Sequence, residues 1–350
     1  MAQLNKEKPI LVTGATGYIA SWIIKLLVDD GFTVHGTVRS LSNEKKFAHL
    51  LEISKKGSGN LKLYEADLLE EGTFNEAMKD CELVIHTASP FFIQGIKNAK
   101  EQLIQPALEG TRNVLDAVNE TISVKRVVLT SSTVAIYGDA IDVKNGNTEV
   151  FDEKMWNTTS TESHQPYPLS KTLAEKDAWR MVNEQDRWDL LVINPGFVMG
   201  PSLSKRMDST SIDFMRSMVN GKFSMGVPDF YFAIVDVRDV AKAHINAGIL
   251  EKASGRHILA ADTKRVIEIA NILRDKFHKK YKIAKAVVPN FMVYIAGPFQ
   301  GFSWKYLRRN LGIQIYCDNS YSKTDLGIEY RPLKETFIEH VEQLARDGLV

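Results

Sequence analysis

Cysteine is nearly absent: the 350-residue chain holds two, Cys81 and Cys317. Two thiols build no disulfide framework, and without a CxxC pair there is no zinc-ribbon signature, so a reducing compartment, the cytoplasm, is the expected location. A charge excess is also missing. Lys and Arg number 44 against 43 Asp and Glu, a formal net charge of +1. That balance argues against a nucleic-acid binder and against a polybasic membrane anchor. No apolar run is long enough to span a bilayer. The best stretch, Phe291–Trp304, is short and broken by Gly297, Pro298, Gln300 and Gly301. The polar N-terminus lacks the apolar core of a signal peptide. The eight histidines form no HxxxH pair and no facial triad with carboxylates, and no metal is expected.

What is present is an ordinary globular composition, 44% hydrophobic and 25% charged, long enough to bury a large core and a cleft. Pro9–Thr13 is a continuous apolar run of the kind found in a strand covered on both faces. Glycines follow at once, then Ile19, Ile23, Leu26 and Leu27 at helical spacing. Strand-like runs recur at 32–39, 61–66, 83–86, 124–130 and 190–194, separated by helical patterns. This alternation predicts an α/β fold, a doubly wound parallel sheet of the Rossmann type with a smaller C-terminal substrate-binding lobe. The dinucleotide domain is expected over 1–200 plus about 232–260, and the substrate lobe over 201–231 and 261–350. After Tyr281 the elements read as short and aromatic-rich.

Three positions carry chemistry. The first is the loop from Gly14 to Ala20 between strand and helix. Gly14 permits a tight turn and Gly17 a close backbone approach to a pyrophosphate at the helix N-terminus, so Gly14, Thr16, Gly17, Tyr18 and Ile19 are candidate cofactor contacts. The second is the end of the next strand. An acidic residue there would accept from a ribose 2′-hydroxyl; the chain has Arg39, with Lys46 on the following helix, a pair suited to a 2′-phosphate and hence to NADP(H). Their alternative is two solvated surface charges. Asp67 and Leu68 follow the third strand, where a carboxylate takes an adenine amino group and a leucine packs on the ring, although Asp67 equally suits a helix N-cap.

The third is Tyr167 with Lys171, four residues apart on one helix face. An ammonium beside a phenol is expected to lower the phenol's pKa and let it exchange a proton with a carbonyl oxygen. Alone, the pair would be an ordinary i, i+4 contact. It is accompanied by Thr130–Thr133 after the fifth strand, a row of hydroxyls at the carboxyl edge where open α/β sheets bind ligands.

In this order these motifs resemble the extended short-chain dehydrogenase/reductase superfamily, in the branch that contains dihydroflavonol 4-reductase, cinnamoyl-CoA reductase and microbial NADPH-dependent aldehyde and ketone reductases. The resemblance covers nearly the whole chain and includes His86–Pro90, Asn194–Pro201, Val235–Ala241 and Ser322–Gly327. It implies Tyr167 as general acid, Lys171 as its partner on the nicotinamide ribose, and Ser132 as the group that polarises the carbonyl, with Thr133 the less suited neighbour. It implies further that Thr87, Ala88 and Ser89 line the cofactor and that Pro195, Gly196 and Val198 flank the nicotinamide. Asn113 sits where relatives often carry Asn; helix packing or a backbone hydrogen bond explains it as well. The expected partner is a small apolar or aromatic carbonyl compound. Tyr137 and Ala233 stand where dihydroflavonol reductases place polar groups for flavonoid hydroxyls, and Ser163–Tyr167 departs from the cinnamoyl-CoA reductase run. The aromatics and methionines of 214–232 and 291–304 read as lining for a greasy cleft or as plain core. The competing expectations are a sugar-nucleotide epimerase or dehydratase, disfavoured by Arg39, and a non-catalytic NADP(H) sensor, disfavoured by an intact Ser132, Tyr167 and Lys171.

Overall fold

A computed structural model describes residues 5–89, 98–145 and 149–350. Pro90 of the His86–Pro90 motif and the first four residues lie outside them. Strand and helix alternate from the start: β1 (Ile10–Thr13), α1 (Tyr18–Asp29), β2 (Thr33–Val38), α2 (Glu44–Lys56), β3 (Asn60–Glu65), α3 (Asn75–Met78), β4 (Leu83–His86), α4 (Gln105–Glu120) and β5 (Arg126–Thr130). There follow α5 (Asp142–Asn145), α6 (Pro166–Val182), β6 (Asp189–Pro195), β7 (Phe197–Met199), α7 (Thr210–Val219), β8 (Tyr231–Asp236), α8 (Val237–Ile249), β9 (Gly255–Leu259) and β10 (Asp262–Arg265). The chain closes with α9 (Val266–Phe277), α10 (Asn290–Ala296), α11 (Trp304–Asn310), α12 (Ser320–Asp325) and α13 (Leu333–Arg346).

Seven strands form one parallel sheet in the order β3-β2-β1-β4-β5-β6-β9. The order reverses between β1 and β4, which opens a crevice at their carboxyl ends. Strand pleating sends alternate residues to opposite faces. Ile10, Val12, Ile85 and Val128 join the core under α1, α2 and α8, whereas Leu11, Val84, Val127 and Leu129 join the core under α3, α4 and α6. Burial on both faces is why these strands read as unbroken apolar runs.

A second sheet, β10-β8-β7, pairs β7 with β8 in parallel and β10 with β8 antiparallel. Its core draws Met199, Met215, Met218 and Phe230 together with α7, α9 and α13. The strand at 231–236 thus belongs to this sheet, while β9 completes the large one. The long terminal helix α13 differs from the expectation of short elements after Tyr281. Its signal was the spacing of Leu333, Phe337, Val341 and Leu344, all buried.

Candidate active site

The cradle forms where β1 and β4 end together. Gly14 has φ +66°, and a Cβ there would meet Ala88 at 3.0 Å, so this turn takes glycine for both conformation and space. Thr13 Oγ1 accepts from the amides of Thr87 and Ala88, both at 3.1 Å, and pairs with His86 Nδ1 at 2.8 Å. Thr87 Oγ1 donates to the Thr13 carbonyl at 2.6 Å. Burial holds His86 neutral, its pKa pushed down to about 3, and makes it a satisfied core group. The 87–89 turn is thereby pinned beside the glycine loop.

Helix α1 ties this loop to the far side of the molecule. Tyr18 donates its hydroxyl to the Gly200 carbonyl at 2.5 Å, and Trp22 Nε1 donates to the Pro201 carbonyl at 2.8 Å. The Tyr18 hydroxyl therefore serves as an anchor, which leaves only its backbone for a cofactor. Ile19 packs on the α1 core. Arg206 Nη1 donates to the Thr16 carbonyl at 3.2 Å.

Arg39 and Lys46 are both exposed, at the end of β2 and on the first turn of α2, and neither has an ion-pair partner among the described residues. Asp67 Oδ1 accepts from the Leu69 amide at 2.9 Å and closes a local turn; no helix begins there, since α3 starts only at Asn75, so the N-cap alternative does not hold. Leu68 lies against Gly110 of α4, where an added Cβ would come within 3.1 Å of it. Asn113 Nδ2 donates to the Leu68 carbonyl at 2.8 Å, so its role is backbone support for this turn.

Tyr167 and Lys171 lie on the first turns of α6, which packs against the short turn 133–135 that follows Ser132. Both keep some solvent contact yet sit deep among protein atoms. Lys171 Nζ donates to Ser89 Oγ at 3.2 Å, which joins the helix to the cofactor-lining turn. Burial lowers the Lys171 pKa to about 8, partly opposed by Glu175. Burial also pushes the Tyr167 phenol above its ordinary range. This corrects the expectation of a lowered phenol: desolvation is the dominant influence on Tyr167, and the Lys171 ammonium is engaged with Ser89.

Ser132 Oγ accepts from the Val134 amide at 3.3 Å and donates weakly to the Pro195 carbonyl at 3.4 Å. Its neighbours are committed elsewhere: Ser131 donates to Glu175, and Thr133 is buried. Of the three, Ser131 and Thr133 are buried and Ser132 is half-buried. Gly196 follows Pro195, and a Cβ there would strike the Ala233 carbonyl at 2.3 Å, so glycine lets β6 and β8 approach. Val198 pairs with Val235 and is buried. Tyr137 stacks on Phe151 at 4.2 Å, and Ala233 is buried against the Gly196 backbone.

Two buried carboxylates escaped the reading of the sequence. Glu175, one helical turn beyond Lys171, accepts from Arg256 Nε at 2.5 Å and from Asn194 Nδ2 at 2.8 Å, and Arg256 stacks on Trp156 at 3.8 Å. Asp139 accepts from His164 at 2.7 Å, Arg309 at 2.5 Å and Asn310 at 2.7 Å. Gln165, left-handed at φ 62°, donates to the same carboxylate at 3.3 Å, directly before Pro166 and Tyr167. The spacing of Glu175 from Lys171 was visible; its pairing with Arg256, a residue 81 positions away, was not. Among the described residues there is no cluster of metal-binding side chains, and no helix is long and apolar enough to cross a membrane.

A parallel sheet with a glycine turn at its switch point and a Tyr/Lys helix beside a serine edge defines a dinucleotide-dependent oxidoreductase architecture. The chain belongs to the NAD dependent epimerase/dehydratase family, whose model matches residues 10–261, and within it to the extended short-chain reductases of the dihydroflavonol reductase-like branch. It is 36% identical over 347 residues to cinnamoyl-CoA reductase CAD2 of Medicago truncatula, covering 98% of both chains. It superposes on Candida albicans Gre2 in complex with NADPH with a TM-score of 0.77 at 30% identity, covering 97% of this chain and 99% of that one. The yeast methylglyoxal/isovaleraldehyde reductase Gre2 complexed with NADPH gives 0.76 at 27% identity, with 98% and 100% covered.

Proposed function

We propose that the protein reduces aldehydes and ketones to alcohols with NADP(H), Tyr167 acting as general acid. The observation that carries this reading is the placement of Tyr167 and Lys171 on one turn of α6, with Lys171 bonded to Ser89 and the helix packed on the turn after Ser132. The cradle suits a dinucleotide: the Gly14 turn packs close against Ala88 where β1 and β4 end together, and Arg39 after β2 and Lys46 on α2 are exposed cations with no ion-pair partner among the described residues. When bound, the reduced nicotinamide supplies the hydride. Gly14, Thr16, Gly17 and the backbone of Tyr18 and Ile19 hold the pyrophosphate; Arg39 and Lys46 take the 2′-phosphate. Thr87, Ala88 and Ser89 line one side, and Pro195, Gly196 and Val198 the other.

Ser132 donates a hydrogen bond to the substrate oxygen and so stabilises the negative charge that develops there. Tyr167 delivers its proton to the same oxygen. A phenol held protonated by burial starts as the acid that carbonyl reduction needs, and the nearby Lys171 ammonium stabilises the phenolate left behind. The aromatic cluster of Phe197, Phe214 and Phe232, with ring centroids 5.2–6.1 Å apart, follows Gly196 and favours an apolar or aromatic carbonyl over a sugar nucleotide. The relatives named above act on carbonyl compounds as different as a cinnamoyl thioester and methylglyoxal, so the carbonyl, not one scaffold, is the shared element.

The test is loss of nicotinamide absorbance with NADPH or NADH over a panel of aliphatic aldehydes, aromatic aldehydes and activated ketones. Turnover with NADPH, and poor use of NADH, is the expected result. A protein that turns over none of them, or that prefers NADH, has another function.

A further inference from the structure

The overall net charge of +1 conceals a strong segregation. Between Asp275 and Asp318 the chain has eight Lys and Arg and no Asp or Glu, so the remainder is net acidic. Lys276 pairs with Glu342, and Arg309 pairs with Asp139 and Asp142. The other six, Lys279, Lys280, Lys282, Lys285, Lys305 and Arg308, are exposed and have no ion-pair partner among the described residues.

The same segment turns apolar side chains outward. Phe299 is 89% exposed, Phe291 and Ile295 67% each, Trp304 61% and Met292 44%. On α10 only Val293 is buried. These five are not plain core, whereas Val293 and Tyr294 of the same segment pack on the core of the second sheet. Scattered exposed apolar residues need no explanation, but with Phe302 six large ones are exposed within fourteen residues, flanked in the chain on both sides by cations without ion-pair partners among the described residues, and they form a surface that water disfavours.

We propose that this surface docks on an anionic phospholipid bilayer, the apolar side chains of 291–304 entering the headgroup layer and the surrounding lysines facing the lipid phosphates. Phenylalanine, isoleucine and tryptophan on one side and lysine around them are the composition of an interfacial anchor. The charge decides between occupants. A second copy of this chain in a two-fold dimer would set the patch against itself and bring six unpaired cations on each side together. A bilayer surface of negative potential attracts those cations instead. No span is required, in accord with the absence of a membrane-crossing helix among the described residues. The exclusion of a polybasic membrane anchor rested on overall net charge, which averages over this segregation. The segment is tied to the framework of the site, because α11 carries Arg309 and Asn310 onto Asp139 in the stretch that follows the serine turn.

The experiment is co-sedimentation of the full chain with vesicles, without NADPH or substrate, so that its outcome is independent of the reductase reading. Vesicles of phosphatidylcholine with about 30 mol% phosphatidylserine should pellet at least about tenfold more protein than pure phosphatidylcholine, and high salt should abolish the difference. The double substitution Ile295→Asp with Phe299→Asp should reduce pelleting at least about fivefold, because a carboxylate resists entry into the apolar layer. Lys279→Glu with Lys280→Glu should weaken it at low salt. All four positions are exposed, and an unchanged thermal midpoint verifies the fold. Equal pelleting with both vesicle types, no pelleting with either, or pelleting that survives the apolar substitutions would overturn the proposal. So would concentration-dependent dimerisation in sedimentation velocity that the Ile295 and Phe299 substitutions remove, since the patch would then belong to a second copy.

Discussion

The two sheets bury their residues by different means. In the seven-stranded sheet, β1 and β4 are covered on both faces by β-branched and leucine side chains. Such side chains have few rotamers, so the strand ends that carry Gly14, Thr87 and Ser132 are held in fixed relation. The three-stranded sheet is short, and its β10, Asp262–Arg265, is an edge with only intermediate or exposed residues. Behind it lie methionines and phenylalanines, which adapt more readily to a changing neighbour. The difference assigns fixed chemistry to one sheet and adjustable recognition to the other, and this division can be broken by experiment.

Tyr167→Phe gives the largest expected effect. If proton delivery belongs to the fixed half alone, kcat should fall by about two to four orders of magnitude while NADPH affinity stays within about threefold. A variant that keeps its activity would place the acid elsewhere, including on the second sheet. Next in size is the packing contrast. Ile85→Ala, at a fully buried position of β4, should cost about 2–5 kcal/mol in chemical denaturation, whereas Met215→Leu in the second core should cost less than about 1.5 kcal/mol. Equal costs would show that the two cores are equally exacting.

Arg39→Asp sharpens the comparison at the far end of the large sheet. It should raise the KM for NADPH by about ten- to a hundredfold and leave NADH nearly unaffected, since a charge-assisted contact to the 2′-phosphate is exchanged for repulsion. Parallel losses for both cofactors would mean that Arg39 holds the chain rather than the phosphate.

Which parts were legible in the amino-acid order follows from the same contrast. Burial on both faces writes β1, β4 and β5 as apolar runs, and the turn chemistry of Gly14 follows directly from strand and helix on either side. Tyr167 and Lys171 were legible because helix geometry fixes the side of an i, i+4 pair. The second sheet was not, because β8 has the same apolar character as a strand of the large sheet and pairs instead with β7, only two residues beyond β6. Glu175–Arg256 and Asp139–Arg309 join distant segments through side chains alone, and no local pattern announces such pairs. The sign of the Tyr167 shift was misjudged because the pair was read without its desolvation.

The smallest expected effect is the pH dependence set by Lys171, a cation that the fixed half holds deep among protein atoms beside Ser89. Its pKa falls from 10.5 to about 8, chiefly through burial, with Glu175 pulling the other way. In the free enzyme the ammonium that supports the phenolate is lost above pH 8, so kcat/KM for carbonyl reduction should decline with a one-proton slope beyond that point. Stability should move oppositely. Between pH 8 and the unfolded value near 10.5 the unfolded chain binds more protons at this group, so its contribution to folding improves as pH rises through that window. Below pH 8 the folded state carries the full burden of a buried ammonium. Lys171→Met should therefore raise the denaturation free energy at pH 7 by on the order of 1–2 kcal/mol while it cripples turnover. A destabilised Lys171→Met protein would mean that the hydrogen bond to Ser89 outweighs the desolvation of the charge, and that the fixed half of the molecule depends on its polar contacts as much as on its packing.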